Sequence, residues 1–370
     1  MIADCQAAVK HSDEKKIKKI VKKLSKLARE GLHQPVICAI LRAKGDDFLP
    51  MKKLIALILT TVFLFTGVAA LAEEGMTPVR VVALKGPTAM GMVKMMEDND
   101  GSCEFTIAAA IDEVTPLIAQ GKTDIAAVPA NLAAVLYQKL NGEVQVLAVN
   151  TLGVLYIVEN GDTVHSVEDL RGRTLYASGK GATPEYALQY ILAGSGLDPE
   201  KDVNVEWKSE HTECLNALLN DENGIALLPQ PFVTTAMTKA EGLRVAIDLN
   251  DAWDALQQGS ENPSALLTGV VVVRRAFAEA HPDQVNAFLD AYAASVSFVQ
   301  ENNDEAAALV GKFEIIPEAV AKKALPACNI VFIEGAEMEQ KLSGYLAVLF
   351  QANPASVGGQ MPDDAFYFKR

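Results

Sequence analysis

Two hydrophobic periods alternate along this chain. Short runs rich in Val, Ile and Leu predict strands over 79–84, 105–109, 124–128, 144–149, 152–158, 174–177, 203–207, 225–228 and 243–247. Between them, apolar residues at helical spacing predict helices over 89–97, 113–120, 131–139 and 214–220. A short helix within 166–173, one ending near 193 and one after Pro231 complete the set. After a long apolar run at 265–274 the pattern is helical only, over 275–301, 305–313, 317–324 and 336–352. Strand–helix alternation predicts α/β architecture, with mostly parallel sheets flanked by helices. Two strand-like crossings, near 150–158 and 265–272, split the chain into two lobes, 76–153 with 268–370 and 154–267. The carboxyl ends of the strands then face a cleft, where open α/β sheets bind ligands.

The segment ahead of this pattern has a different character. Residues 51–72 (MKKLIALILTTVFLFTGVAALA) carry a basic head, an uncharged apolar middle and an A-x-A exit, the three parts of a secretory signal. Cleavage after Ala72 would leave Glu73 first and place the product outside the cytoplasmic membrane. The rival reading is a retained anchor, since 54–72 comes close to membrane-spanning length. Residues 1–50 contain a lysine-rich amphipathic stretch at 12–32. It reads either as a surface-binding helix or, as we favour, as sequence upstream of a true start at Met51.

Composition removes several functions. Residues 73–370 hold 20 Lys/Arg against 41 Asp/Glu, a net charge of −21, which argues against nucleic acid and anionic membranes as partners. Cys103, Cys214 and Cys328 are far apart and form no metal-ligand spacing; one disulfide or three buried thiols are both open. His165, His211 and His281 make no H-x-x-x-H pair, so no metal or other cofactor is expected.

Two loops enter helices with unpaired backbone N–H groups and a nearby lysine. The first is Lys85, Gly86, Pro87 and Thr88; the second is Ser178, Gly179, Lys180, Gly181, Ala182 and Thr183, with Thr183 as a plausible N-cap. Both suit an anionic group, and both also read as plain capped turns. Asn131, after the third strand, caps its helix or offers an amide to the cleft. Gln230 takes the matching edge of the second lobe, and Thr268 with Gly269 lies in the return crossing. Met92, Met95 and Met96 form a core stripe, while Met90 is placed to line an apolar pocket. Glu210 and Glu213 read as a solvated helix start more readily than as paired carboxylates.

Taken in order, K-G-P-T at 85–88, D-I-A-A-V-P-A-N at 124–131, V-E-D-L-R-G-R-T-L-Y-A-S-G-K-G-A-T-P-E-Y at 167–186 and L-L-P-Q-P-F at 227–232 resemble a known family. It is the periplasmic solute-binding proteins of ABC importers, nearest the nitrate/sulfonate/taurine and thiamin-pyrimidine-precursor branch. The resemblance covers 76–352. It implies a two-lobed periplasmic-binding-protein clamshell, expected to be a monomer, that closes on a small solute about its two crossings. Its partners would be the permease and ATPase subunits, and it implies no catalysis. An enzyme of the menaquinone or thiamin-pyrimidine pathway on the same clamshell is the alternative, as is a sensor tethered by 54–72. No G-x-S-x-G and no nucleophile–base set supports the enzyme.

Overall fold

Runs of β-branched residues build two sheets. In the computed structural model, residues 77–260 and 263–370 are described; the signal-like 51–72 and the basic stretch before it lie outside them. The first sheet collects Val79–Leu84 (β1), Cys103–Ala108 (β2), Ile125–Pro129 (β3) and Val144–Leu152 (β4). The chain then crosses through Gly153 and Val154 into the second sheet. That sheet holds Leu155–Asn160 (β5), Thr174–Ser178 (β6), Asn204–Lys208 (β7), Ile225–Pro229 (β8) and Leu243–Asp248 (β9). Leu267–Arg274 (β10) returns to the first sheet, and Ile330–Ile333 (β11) ends its strand sequence. The spatial orders are β11-β4-β10-β3-β1-β2 and β7-β6-β8-β5-β9.

Both sheets are mixed rather than mostly parallel. β1 pairs parallel with β2 and β3, and β6 with β7 and β8. β10 lies antiparallel between β3 and β4, and β5 antiparallel between β8 and β9. The reason is the crossings. β5 enters the second sheet from the first, and β10 comes back the other way, so each runs against its hosts.

Helices cover the faces where expected, with local corrections. The first predicted helix is broken at Gly91 into Pro87–Met90 (α1) and Val93–Glu97 (α2). Next come Ile111–Ala119 (α3), Ala130–Lys139 (α4), Thr183–Gly194 (α5), His211–Asn220 (α6) and Phe232–Lys239 (α7). Leu249–Gln257 (α8) was not expected; the Asp248 side chain caps it by accepting from the Asn250 N–H at 2.8 Å. Proline at the first position of the next helix splits 275–301 into Arg275–Ala280 (α9) and Pro282–Glu301 (α10). Asn303–Lys312 (α11), Glu318–Ala324 (α12) and Gly335–Ala352 (α13) follow. Among the described residues no helix is long and apolar enough to cross a membrane.

The core divides by sheet face. Val81, Ala83, Ile125, Ala127 and Val271 pack with Met90, Met92 and Tyr292 on one side of the first sheet. The opposite face, with Val82, Ala126, Val128 and Val270, belongs to one cluster with Leu155, Ile157, Leu175, Trp253 and Tyr345. A third cluster lies on the far face of the second sheet, around Val158, Ala226 and Leu228. β4 has β10 on one side; β11 covers only its Val149–Thr151 end on the other. The rest of that edge is closed by the last residues, with a bridge from Val146 to Tyr367 and the Phe368 N–H on the Val146 carbonyl at 3.0 Å.

Candidate functional site

The loops that leave the carboxyl ends of β1, β3, β6, β7 and β8 carry the candidate residues. After β1, Lys85 is exposed and donates its backbone N–H to the Ala108 carbonyl at 2.8 Å. Gly86 is buried, yet a Cβ there would meet nothing within 4 Å. Its φ of +123° is a conformation only glycine holds without strain, so it sets up Pro87 as the first residue of α1. Thr88 is spent internally. Its hydroxyl donates to the Leu84 carbonyl at 2.8 Å, and its own carbonyl accepts from Asn150 Nδ2 at 3.1 Å. The Thr151 hydroxyl donates to Asn150 Oδ1 at 3.1 Å, so a buried asparagine of β4 holds the turn. Met90 is fully buried in the core and lines no pocket.

Asn131 neither caps its helix nor points a free amide outward. The N-cap is Pro129, and Asn131 Nδ2 donates to the Ser356 carbonyl at 3.4 Å. In the β6 loop, Ala182 rather than Thr183 is the N-cap residue. Thr183 begins α5, and its hydroxyl pairs with that of Tyr345 at 2.9 Å. The Gly181 N–H is already held by Glu185 Oε2 at 2.6 Å, and the Ala182 N–H by the Gly179 carbonyl at 3.1 Å. Lys180 is exposed. Much of the donor set expected for an anion is therefore satisfied within the loop.

Ser178, at the end of β6, is buried and lies 2.5 Å from His211 Nδ1. His211 opens α6 after β7, next to the Phe232 ring with centroids 5.2 Å apart. Burial pushes its pKa down, so the imidazole is neutral at pH 7. Among the described residues no hydrogen bond reaches its Nε2. Glu213 Oε2 accepts from the Ser209 N–H at 2.9 Å, so Glu210 and Glu213 belong to a helix start. His211 was missed as a site residue because its partner is 33 positions away, beyond any motif spacing.

The crossing itself gathers two further expected residues. Gln230, buried at the end of β8, donates its N–H to the Val154 carbonyl at 2.9 Å. Its Oε1 accepts from the Thr234 N–H at 3.3 Å and hydroxyl at 2.9 Å. Thr268 follows Leu267, which pairs with Leu152, and its Oγ1 is buried with no hydrogen-bond partner among the described residues. No hydrogen bond among the described residues joins the 85–88 turn to the 178–183 loop.

Charge is scarce around these groups. Arg80 and Arg274 are both held by Asp124, Arg244 by Glu159 and Arg171 by Asp202. The donors left near the crossing are a hydroxyl, an amide and a neutral imidazole. Among the described residues no group of His, Cys, Asp and Glu is arranged to hold a metal ion. Cys103, Cys214 and Cys328 are unpaired and buried, and burial pushes the Cys328 thiol up to about 12. Two surface hollows, of about 390 and 480 Å³, are lined around Glu334–Arg370 contacts and around Asp98–Asn99; neither contains a candidate residue.

Two mixed sheets joined by two crossings, with ligand-capable side chains at the strand ends, define a periplasmic binding protein. Residues 93–314 match the family of ABC transporter, phosphonate, periplasmic substrate-binding proteins, and the chain belongs to that family. No curated protein matches the sequence. Among solved structures, an ABC transporter from Parabacteroides distasonis is 25% identical with a TM-score of 0.67, covering 80% of this chain and 99% of its own. The periplasmic aliphatic sulphonate binding protein SsuA from Escherichia coli is 17% identical with a TM-score of 0.61, over 78% and 95%. The alkanesulfonate-binding protein SsuA from Xanthomonas axonopodis pv. citri, bound to MOPS, is 16% identical with a TM-score of 0.57, over 78% and 95%. The last two share the fold.

Proposed function

We propose that this chain is the extracytoplasmic receptor of an ABC importer, exported through 51–72. It takes a small oxyanion-bearing solute between lobes 76–153 with 268–370 and 154–267, and delivers it to the permease as a non-catalytic monomer. The phosphonate family and the sulfonate-binding neighbours support the solute class. The observation that carries the reading is Thr268. A buried hydroxyl without a partner is costly, and this one lies where the chain re-enters the first sheet, close to Gln230. A bound solute would supply the missing partner, with His211 Nε2 and the Gln230 amide as further donors.

The Ser178–His211 pair also invites an acyl-transfer reading. Against it, Ser178 is buried, and among the described residues no carboxylate orients the imidazole. A thermal-shift screen with phosphonates, alkanesulfonates, nitrate, carboxylates and pyrimidines tests the receptor reading. A ligand that binds only the folded form raises Tm, by about 2.7 kcal/mol of stabilisation at a hundredfold excess over Kd. At least one class should raise Tm, and Thr268→Val should keep the fold while reducing that shift. No response from any class would remove the solute assignment. N-terminal sequencing of the extracytoplasmic product tests export, with Glu73 expected first.

A further inference from the structure

α13 lies against β4 and α4 of the first sheet and also against α5 of the second. Its Tyr345 is fully buried, pairs with the Thr183 hydroxyl at 2.9 Å and stands 5.7 Å, ring to ring, from Trp253 of α8. Trp253 is fully buried too, with its ring 4.4 Å from that of Tyr190 and its Nε1–H on the Ser264 hydroxyl at 3.2 Å. Asn353, just beyond α13, reaches the Tyr186 hydroxyl at 3.5 Å. These residues belong to the one cluster that runs from the first sheet into the second, and residues 77–370 group as a single compact unit.

The crossing is bracketed from both sides. The Gly153 carbonyl accepts Asn250 Nδ2 at 3.0 Å from α8 and Asn329 Nδ2 at 2.6 Å from the turn before β11. The Tyr156 hydroxyl of β5 donates to the Ala327 carbonyl at 3.3 Å.

We infer that the two halves stay joined through α13 in the absence of solute, so that solute exchange moves the site loops instead of parting the halves. Domains within a chain move apart readily when their interface is small and polar; a large apolar one resists. Parting this one would wet Trp253, Tyr345 and Tyr186, aromatic surface that is costly to expose. The closure expected from two flexible crossings is thereby confined to the loops after β1 and β6. The inference concerns the solute-free protein and is tested without knowing the solute.

Trp207 and Trp253 are the two tryptophans of the chain. Trp207→Phe leaves Trp253 as the reporter, in protein freed of carried-over solute by unfolding and refolding. Acrylamide should quench its emission several-fold less than in the same protein unfolded by guanidinium. Hydroxyl-radical footprinting of the unaltered chain gives a second reading that needs no substitution. Trp253 and Tyr345 should resist labelling while the half-buried Trp207 is modified. Quenching as ready as in the unfolded chain while circular dichroism stays native, or labelling of Trp253 and Tyr345 as strong as that of Trp207, overturns the inference.

Discussion

Gly269 is where the return strand, the first sheet and the 85–88 turn meet, and replacing it by alanine probes all three. A Cβ at this position would stand 2.4 Å from Asn150 Oδ1, 2.6 Å from Thr88 Cγ2 and 3.2 Å from Thr151 Oγ1. Ordinary heavy-atom contacts are about 3.5–4.0 Å, so two neighbours must move by roughly 1 Å. Neither has room. Asn150 is 1% exposed and holds the Thr88 carbonyl, while the Thr88 hydroxyl is tied to Leu84. Overpacking of this kind costs about 1–3 kcal/mol, and losing the Asn150–Thr88 hydrogen bond adds about 1 kcal/mol. Gly269→Ala should therefore lose about 2–4 kcal/mol, a large share of a typical stability of roughly 5–15 kcal/mol. Urea unfolding followed by circular dichroism should show a lower midpoint at unchanged slope. A variant within about 0.5 kcal/mol of the parent would refute the claim that this contact is rigid.

Asp124 is 4% exposed; burial alone would raise its pKa, but hydrogen bonds from Arg80 and Arg274 outweigh that and hold it below the usual carboxylate value. A depressed folded pKa contributes stability present above the unfolded pKa of about 3.9 and lost as pH falls through the folded value. Asp124→Asn should thus be less stable than the parent at pH 7, with the gap narrowing in acid melts; a constant gap contradicts this. Tyr345→Phe and Thr183→Val should couple by about 0.5–1.5 kcal/mol in a double-mutant cycle, and strict additivity would dissolve the hydroxyl pair. His211→Gln should weaken any solute found in the screen about tenfold, or about 1.4 kcal/mol, with little change in Tm. Unaltered affinity takes His211 out of the site.

The strand–helix alternation was legible because each element carries its own period, and the strand ends named most of the candidate loops. What escaped depends on distant partners. Leu249, Trp253 and Leu256 have helical spacing, but α8 starts directly after β9 with no glycine or proline to announce it. β11 is four residues between helices. Strand direction was misjudged because a crossing strand looks locally like any other buried strand. Thr183 read as a cap from its neighbours, yet its partner Tyr345 is 162 residues away. Gly181 read as room for a ligand, but its φ of +80° calls for glycine in any case, so a bulky residue there tests strain as well as approach.

The bridge between Val146 and Tyr367 has a consequence for how copies of the chain behave towards each other. β11 protects only one end of β4, and an uncovered strand edge is a template for pairing with another molecule. Phe366, seated against Tyr137 with ring centroids 5.0 Å apart, anchors the segment that screens the remainder. Proteolytic loss of residues 366–370 would bare a stretch of valine-rich edge while leaving both sheets paired. Self-association, more than unfolding, would be the first symptom, and five residues remote from the solute loops would thus govern how concentrated the protein can become.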